Sequence, residues 1–439
     1  MANTFAKTAS ADLASPGMQV AESGKPIPRA RWIRMGTLIF LAYLGCYVDR
    51  SNISVAAPEM VRQFGMTGVV TGFLLAAFFW GYVVMQIPGG WLANRFGPKW
   101  VIVTSLAVVG VTGIASGLAT TYDQIVGIRF VMGVAEGVIW PSFATIIMRW
   151  FPSAERSRAV NLAQYVLPLS SALMAPIAGA LIHLTDWRMM FIVQGIPVLA
   201  LALAWAWLGS SAPEHDNRIS GEERRMILAS REVETSAPAP FSAVLRRPLI
   251  LGLGVAYFLW LTGLYGFGLW LPALIKQLSA TGIANVAVLT AIPFAFAALG
   301  LYVNTRWSSR ARHADNWHFI VPLVVGGIAI LVQPLIRDNL FVSMTMLVVT
   351  GICLYSGIGI WWSWTLSLVP RNQIGSSAGL VNFIGNWGGA VGPILVGWAA
   401  RGGNAGSGFY VAGYALLGSA ALNGFLWMAS LRSRSETLR

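Results

Sequence analysis

Twelve long apolar segments follow one another along the sequence, and they limit the chain to very few folds. They lie near residues 33–58, 68–92, 99–119, 122–149, 157–183, 187–208, 248–275, 282–304, 317–336, 340–368, 373–400 and 407–431. A helix needs about 20 apolar residues to cross the hydrocarbon core of a bilayer. Lipid offers no partner to exposed backbone amides, so only helices and closed barrels span it. Charged residues make up only 11% of the chain, against about 25% in soluble domains. The segments predict an all-α membrane protein.

The longest polar stretch, residues 209–247, divides these segments into two sets of six. Short basic loops with Trp and Arg recur at matching places, GGWLANRFGPK (89–99) in the first half and NTRWSSRARHADNW (304–317) in the second. Paired halves of this kind are typical of transporters. We therefore expect twelve transmembrane helices in two pseudo-symmetric six-helix bundles.

This division sets the expected domain boundaries. They are an N-terminal tail (1–32), an N-terminal bundle (33–208), a linker (209–247), a C-terminal bundle (248–431) and a C-terminal tail (432–439). Within the linker, Ser220 with Glu223 three residues later predicts the capped start of a short surface helix.

The net charge of +13 reflects membrane topology rather than nucleic-acid binding. Of the 30 Lys and Arg residues, 23 fall in the two tails or in the even-numbered loops. The odd-numbered loops contain only Arg62, Arg188, Lys276, Arg337 and Arg401. Positive residues favour the cytoplasmic side, so both termini are expected in the cytoplasm. No nucleic-acid partner is expected.

Four charged residues lie well inside predicted helices. Asp49 and Arg50 are in the first segment, and Arg129 and Glu136 are in the fourth. A charge at the membrane centre costs about 2.5–3.5 kcal/mol even on the lower scales. Seven residues make two helical turns, so Arg129 and Glu136 share one face. Each arginine can meet a carboxylate only if the first and fourth helices face each other.

A static ion-pair network that locks two helices is one interpretation of these charges. Apolar replacements of such pairs are often neutral or stabilising, so stability is a weak reason to keep them. Ionisable groups inside membranes are functional as a rule.

The second half offers hydrogen bonds and aromatic rings instead of charges. Trp362 and Ser363 lie inside the tenth segment, and Asn382 and Asn386 share a face of the eleventh. Cavity lining is one interpretation of Trp362, and anchoring at the membrane interface is the other. Isolated polar residues in first-half segments are Tyr47, Tyr82 and Gln164. This division of chemistry suits a small anion with hydroxyl groups or a ring.

The chain resembles the major facilitator superfamily along nearly its whole length. The loop GGWLANRFGPK is similar to the family signature after the second helix, and RFVMGVAEG is similar to its fourth-helix motif. More narrowly, YVDRSNISVAAP, GIRFVMGVAEGVIWPSF, DWRMMFIVQGIP and GLVNFIGNWGGAVGPILVGW resemble the anion:cation symporter family, which includes bacterial proton symporters of sugar acids such as D-galactonate.

This resemblance implies alternating access between two bundles, and it implies roles for the charged residues. Asp49 and Glu136 would carry protons, and Arg50 would meet the substrate carboxylate. Arg129 would pair with Glu136 or steer that pair. The positions that match the family's cavity lining are Tyr47, Tyr82, Gln164, Asn382 and Asn386, with Trp362 and Ser363 matching less closely.

The gating loop departs from the family pattern. Asn94 stands where the family usually has Asp, next to Arg95. The usual Asp helps to lock the cytoplasmic side of the outward-open carrier. We expect that lock to be weaker here or to be supplied by another residue.

Together these features predict proton-coupled uptake of a small organic anion, most simply a sugar acid (aldonate, aldarate or uronate). The expected setting is the inner membrane of a bacterium, the expected partners are the anion, protons and lipid, and the expected state is a monomer. Three alternatives remain open: an aromatic or other carboxylate as substrate, Na⁺ as coupling ion, and a sensor that does not transport.

An enzyme is not expected. The sequence shows no metal-binding cluster, nucleophile triad or phosphate loop, and its four His residues lie at loops or segment ends. No cofactor is expected beyond protons as the coupling ion.

Overall fold

A computed structural model describes residues 29–230, 244–308, 316–336, 338–370, 373–402 and 404–437. Most of the predicted N-terminal tail (1–28), the centre of the linker (231–243) and part of the second basic loop (309–315) lie outside the described residues. The same holds for residues 438–439 of the C-terminal tail.

The first half begins with a π-helical turn, Arg31–Gly36, that runs directly into the first helix. Its helices are α1 (Thr37–Phe64), α2 (Gly68–Phe96), α3 (Pro98–Leu118), α4 (Tyr122–Gly137), α5 (Ile139–Trp150), α6 (Ser153–Gln164), α7 (Val166–Leu184) and α8 (Trp187–Leu208). The linker contributes α9 (Gly221–Ala229). The Ser220 hydroxyl accepts a hydrogen bond from the Glu223 amide, so the predicted capped helix is confirmed.

The helices of the second half follow the predicted segments. They are α10 (Pro248–Ser279), α11 (Ile283–Ser308), α12 (Trp317–Val332), α13 (Leu340–Ser356), α14 (Ile358–Ser367), α15 (Ile374–Ala399) and α16 (Ala405–Thr437). Local chemistry sets several boundaries in both halves. Gly65 ends α1 in the left-handed region, with φ 62°, and Thr121 forms a capping box with Gln124 at the start of α4.

Eleven spans among the described residues are long and apolar enough to cross a membrane. The span Tyr122–Trp150 joins α4 to α5, Arg158–Leu184 joins the end of α6 to α7, and Leu340–Ser367 joins α13 to α14. The helix α1 is not in this set. Its 28 residues are enough to cross a bilayer, but Asp49 and Arg50 interrupt its apolar sequence. With α1 added, the described helices match the twelve predicted segments, and the all-α membrane fold is confirmed.

Glycines let helix backbones approach closely within and between the halves. A methyl group on Gly133 of α4 would lie only 1.9 Å from the Phe78 carbonyl of α2. Between the halves, a methyl group on Gly72 of α2 would lie 2.6 Å from the Pro393 carbonyl of α15. A methyl group on Gly179 of α7 would lie 2.2 Å from the β-carbon of Ala287 on α11. The close helix pairs between the halves therefore include α2 with α15 and α7 with α11.

Candidate functional site

Arg50 and Glu136 form a buried ion pair between α1 and α4. Nη2 of Arg50 donates to Oε1 of Glu136 over 2.5 Å, and both side chains are almost fully buried. The expected facing of the first and fourth helices is therefore present. A charge-assisted hydrogen bond offsets part of the cost of burying both charges.

Aromatic rings surround the Arg50 guanidinium. Its carbon lies 4.3 Å from the ring centre of Tyr47, 4.7 Å from that of Tyr82 and 4.8 Å from that of Phe78. Nη1 of Arg50 also donates to the Tyr265 hydroxyl over 3.3 Å. Because Tyr265 belongs to α10, Arg50 contacts both halves of the molecule. Ring faces attract a cation without neutralising it, so the guanidinium stays able to bind an anion.

Of the two roles expected for Arg129, pairing with Glu136 or steering that pair, direct pairing is absent in this conformation. Its Nη1 donates over 2.9 Å to the backbone carbonyl of Asp49, and the side chain is 1% exposed. The carboxylate of Glu136 is bound instead by Arg50. Arg129 therefore ties α4 to the backbone of α1 at the residue before Arg50.

Asp49 turns away from its neighbour Arg50. Its carboxylate is fully buried, and neither oxygen has a hydrogen-bond partner among the described residues. A methyl group on Gly113 of α3 would lie 3.5 Å from Oδ1 of Asp49. The carboxylate thus lies inside the first bundle, where Gly113 leaves room for it.

A cavity lies between the two halves, with Arg50 in its wall. Its other lining residues are Tyr47, Ser51, Ser54, Val55, Leu167, Ser171, Ala175, Leu264, Tyr265, Gly268, Leu269, Thr290, Phe294 and Tyr355. They come from α1, α7, α10, α11 and α13. The wall therefore combines one cation with seven hydroxyl groups and apolar side chains. This composition can orient a small anion that carries hydroxyl groups.

Only two of the predicted substrate-binding residues, Tyr47 and Arg50, are in that wall. Tyr82 packs behind the Arg50 guanidinium. Gln164 is half-buried at the end of α6. Trp362 packs on the Tyr257 ring at 5.4 Å between centres. Ser363 is exposed on α14.

The two predicted asparagines bind each other and the opposite half instead of the cavity. Nδ2 of Asn386 donates to the backbone carbonyl of Asn382 over 2.8 Å. Nδ2 of Asn382 donates to Oε1 of Gln86 on α2 over 3.0 Å. Their amides are satisfied within the protein in this conformation, and neither residue is among the cavity-lining set.

Several cavity residues were not predicted from the sequence, among them Ser51, Ser54, Ser171, Thr290 and Tyr355. A usable signal was present only on α1. The spacing of Tyr47, Arg50, Ser51 and Ser54 places polar groups along one helical face. The others are hydroxyls within apolar runs. A bond to the preceding turn would satisfy Ser171 and Thr290 equally well, and Tyr355 is not distinguished from other buried aromatic residues.

The gating-loop residues lie at the end of α2. Asn94 and Arg95 are both exposed. The Arg95 guanidinium carbon lies 5.6 Å from the ring centre of Trp91. The proposed consequence of Asn94 for the resting state stays a prediction.

A polytopic fold of paired bundles, with a buried charge cluster beside a cavity between them, defines a membrane transporter. Residues 39–393 match the Major Facilitator Superfamily. Because this match covers most of the chain, the protein belongs to that superfamily. Its members are transporters, so the chain is not an enzyme.

Relatives and solved structures agree with this assignment. The chain is 28% identical over 402 residues to a putative tartrate transporter of Agrobacterium vitis, covering 88% of each chain. It is 27% identical over 413 residues to the D-galactonate transporter of Escherichia coli O6:H1 (strain CFT073), covering 89% of this chain and 94% of the relative.

Among solved structures, a bacterial homologue of the human lysosomal transporter Spinster superposes with a TM-score of 0.72. The sequence identity is 17%, and the match covers 90% of this chain and 96% of the other. This likeness establishes the fold.

Proposed function

We propose that the protein is a proton-coupled symporter that takes up a small organic anion, most simply a sugar acid. The observation that carries the proposal is the position of Arg50. The guanidinium is in the cavity wall and at the same time is bound by the carboxylate of Glu136. An anion in the cavity must therefore compete with Glu136 for the same cation.

This competition couples the anion to a proton. When Glu136 is ionised, it occupies Arg50. When Glu136 takes a proton, its negative charge disappears and the guanidinium becomes available. Arg50 can then bind a substrate carboxylate with two parallel hydrogen bonds. Release of the proton on the other side of the membrane restores the Arg50–Glu136 pair and expels the anion.

Hydroxyl groups in the wall support a polyhydroxylated substrate. The Ser54 hydroxyl donates to the Ser51 carbonyl over 2.6 Å, and the Thr290 hydroxyl donates to the Val286 carbonyl over 2.7 Å. Each hydroxyl donates its hydrogen to a carbonyl of its own helix, but its oxygen can still accept a hydrogen bond. Such groups suit a ligand that arrives with several O–H donors. Carriers named for tartrate and D-galactonate among the relatives support the same substrate class.

An aromatic carboxylate is the second candidate substrate. Phe294, Tyr265 and Tyr355 place rings in the same wall. These rings could stack on an aromatic acid while Arg50 binds its carboxylate.

The proposal extends to the cellular setting. Basic residues concentrate in the tails and even-numbered loops, which favours cytoplasmic termini. We place the carrier in the inner membrane of a bacterium as a monomer, with the proton gradient directing uptake.

Two measurements test the proposal. A thermal-shift screen of purified protein against tartrate, D-galactonate, D-glucarate and benzoate should identify the ligand, because binding to the folded state raises the melting temperature. Uptake of the radiolabelled hit into proteoliposomes should then require an inward pH gradient and persist when Na⁺ is replaced by K⁺. Uptake driven by Na⁺ alone would contradict proton coupling. Binding without uptake would favour a sensor.

A further inference from the structure

A buried amide pair lies beside Asp49 and belongs to neither the ion pair nor the cavity. Nδ2 of Asn52 on α1 donates to Oε1 of Gln194 on α8. Asn52 is 1% exposed and Gln194 is 5% exposed. The pair leaves two buried atoms without partners among the described residues, Oδ1 of Asn52 and Nε2 of Gln194. Such atoms are costly to bury unless another group binds them.

Asp49 is within reach of this pair. Asn52 follows Asp49 by three residues on α1, so the two side chains are neighbours on the helix surface. A methyl group on Gly113 would lie 3.5 Å from Oδ1 of Asp49 and 3.3 Å from the α-carbon of Gly195, the residue after Gln194. The carboxylate therefore lies at the contact of α3 with α8, the helix that contains Gln194, and both of its oxygens are also without partners among the described residues.

The unpartnered atoms match a neutral carboxylic acid. An acid has one O–H donor and one carbonyl acceptor, and the amide pair offers one acceptor and one donor. If oxygen and nitrogen were exchanged in both side-chain amides, the pair would still leave one donor and one acceptor free. The match therefore does not depend on the orientation of the amides. A sodium ion could use Asn52 Oδ1 but not Gln194 Nε2, because that group is a hydrogen-bond donor.

We propose that Asn52 and Gln194 are positioning residues that receive the protonated side chain of Asp49 in a compartment separate from the substrate cavity. The inference rests on the proposed proton coupling and on the proton-carrying role that the family resemblance implies for Asp49. A proton taken from water forms the O–H bond on Asp49, and the carboxyl charge changes from −1 to 0. The acid then donates to Asn52 Oδ1 and accepts from Gln194 Nε2. Loss of the proton breaks the first bond.

The charged and titratable groups around this compartment come from two helices. Arg129 and Glu136 face Asp49 from α4, and Cys46 and Arg50 are on α1 itself. The neighbouring helices α3 and α8 contribute Gly113 and Gln194 at this level, because their only charged residues, Lys99 and Arg188, lie in their first turns. Replacing Asn52 or Gln194 therefore changes the surroundings of Asp49 without altering the charged residues near it.

The inference can be tested by infrared difference spectroscopy. The purified full-length protein is titrated from acid to alkaline pH without substrate. The carboxylic C=O band that disappears in Asp49→Asn reports Asp49. In Gln194→Leu this band should move to higher wavenumber, because the acid C=O loses its donor, and its midpoint should move to higher pH, because that donor also binds the ionised carboxylate. In Asn52→Leu the midpoint should instead move to lower pH by about 0.5–1 unit, because Asn52 Oδ1 can accept a hydrogen bond only from the protonated acid.

The matched control is Gln333→Leu. Gln333 is also fully buried with an unpartnered amide, but it lies in the second half, so its loss should leave band and midpoint unchanged. The inference is overturned if the Asp49 band keeps its position and midpoint in the amide variants, or if no band depends on Asp49. A midpoint that moves with Na⁺ concentration would also overturn it. If no transported anion is found, the result of this titration still stands, because no substrate is added.

Discussion

The Nδ2 group of Asn382 and the Oε1 atom of Gln86 form a 3.0 Å hydrogen bond that joins α15 of the second half to α2 of the first. Asn386 donates to Asn382 from one turn further along α15, so the two asparagines act as one unit. A hydrogen bond between halves must break when they separate. These amides can therefore influence transport through the contact between halves, even though they lie outside the cavity wall.

Asn386→Ala should change the half-saturation constant by about fivefold, the equivalent of one hydrogen bond, because it weakens the contact that holds the halves together in this conformation, and it should leave the pH profile in place. The amides do not titrate, so they cannot set the proton dependence. Initial uptake rates measured against substrate concentration and pH would show both effects. Gln86→Leu removes the partner in the other half and should give the same pattern. A shifted pH optimum in either variant would contradict this assignment.

Arg50→Lys should abolish detectable substrate binding while the protein still purifies as a folded monodisperse species. A lysine ammonium cannot reproduce the planar fork that binds both carboxylate oxygens. Isothermal titration with the anion identified by the thermal-shift screen would measure the loss. Arg188→Lys, at the start of α8 and outside the cavity, is the control and should bind normally. Near-native affinity in Arg50→Lys would refute its role as the carboxylate clamp.

Glu136→Gln should uncouple the anion from the proton. The amide resembles the protonated acid and leaves the Arg50 guanidinium without its carboxylate, so the anion should bind with little dependence on pH. Exchange of labelled for unlabelled substrate across proteoliposomes should survive, because it requires only that the loaded carrier reorients. Accumulation driven by a pH gradient should fail.

Counterflow and gradient-driven uptake, measured on the same proteoliposome preparation, separate these outcomes for Glu136→Gln. If the variant still concentrates substrate under a pH gradient, Glu136 is not an essential coupling residue. Asp49 would then have to couple the proton alone.

Glu155 should make the stability of the protein depend on acid pH. The side chain lies outside the membrane spans, where Nη2 of Arg31 donates to its Oε1 over 2.7 Å and Nε1 of Trp32 donates to its Oε2 over 2.9 Å. Burial opposes ionisation of Glu155, but the hydrogen bond and charge of Arg31 outweigh it, and the pKa of Glu155 is lowered from its usual 4.5.

A carboxyl with a lowered pKa stabilises the fold above its unfolded-state pKa and loses that contribution as pH falls through the folded-state value. Glu155→Gln should therefore lower stability by about 1–2 kcal/mol at pH 7. Apparent melting temperatures in detergent, measured from pH 7 to pH 3, should converge for the two proteins at the acid end. If the melting temperatures of the two proteins differ by the same amount at every pH from 7 to 3, the ionised Glu155–Arg31 pair is not the source of the difference.

The sequence by itself determined the number and approximate bounds of the membrane spans and their membrane setting. Apolar segments of sufficient length have no other stable form in lipid, because every backbone amide must be satisfied within its own segment. The seven-residue spacing of Arg129 and Glu136 also placed both charges on one face, since helical periodicity is local. For the same reason the Ser220 cap of α9 could be predicted.

Only the tertiary structure decided which charges meet. Asp49 and Arg50 are adjacent in sequence, yet one turns into the first bundle and the other into the cavity, because successive helical residues point about 100° apart. The pairing of Glu136 with Arg50 rather than Arg129 depends on how α1 and α4 are rotated against each other. The position of α4 is in turn set by its packing on α2, where Gly133 closely approaches Phe78. The partners of Asn382 and Gln194 were likewise undetermined, because they lie on helices far apart in sequence, and only packing brings these helices together.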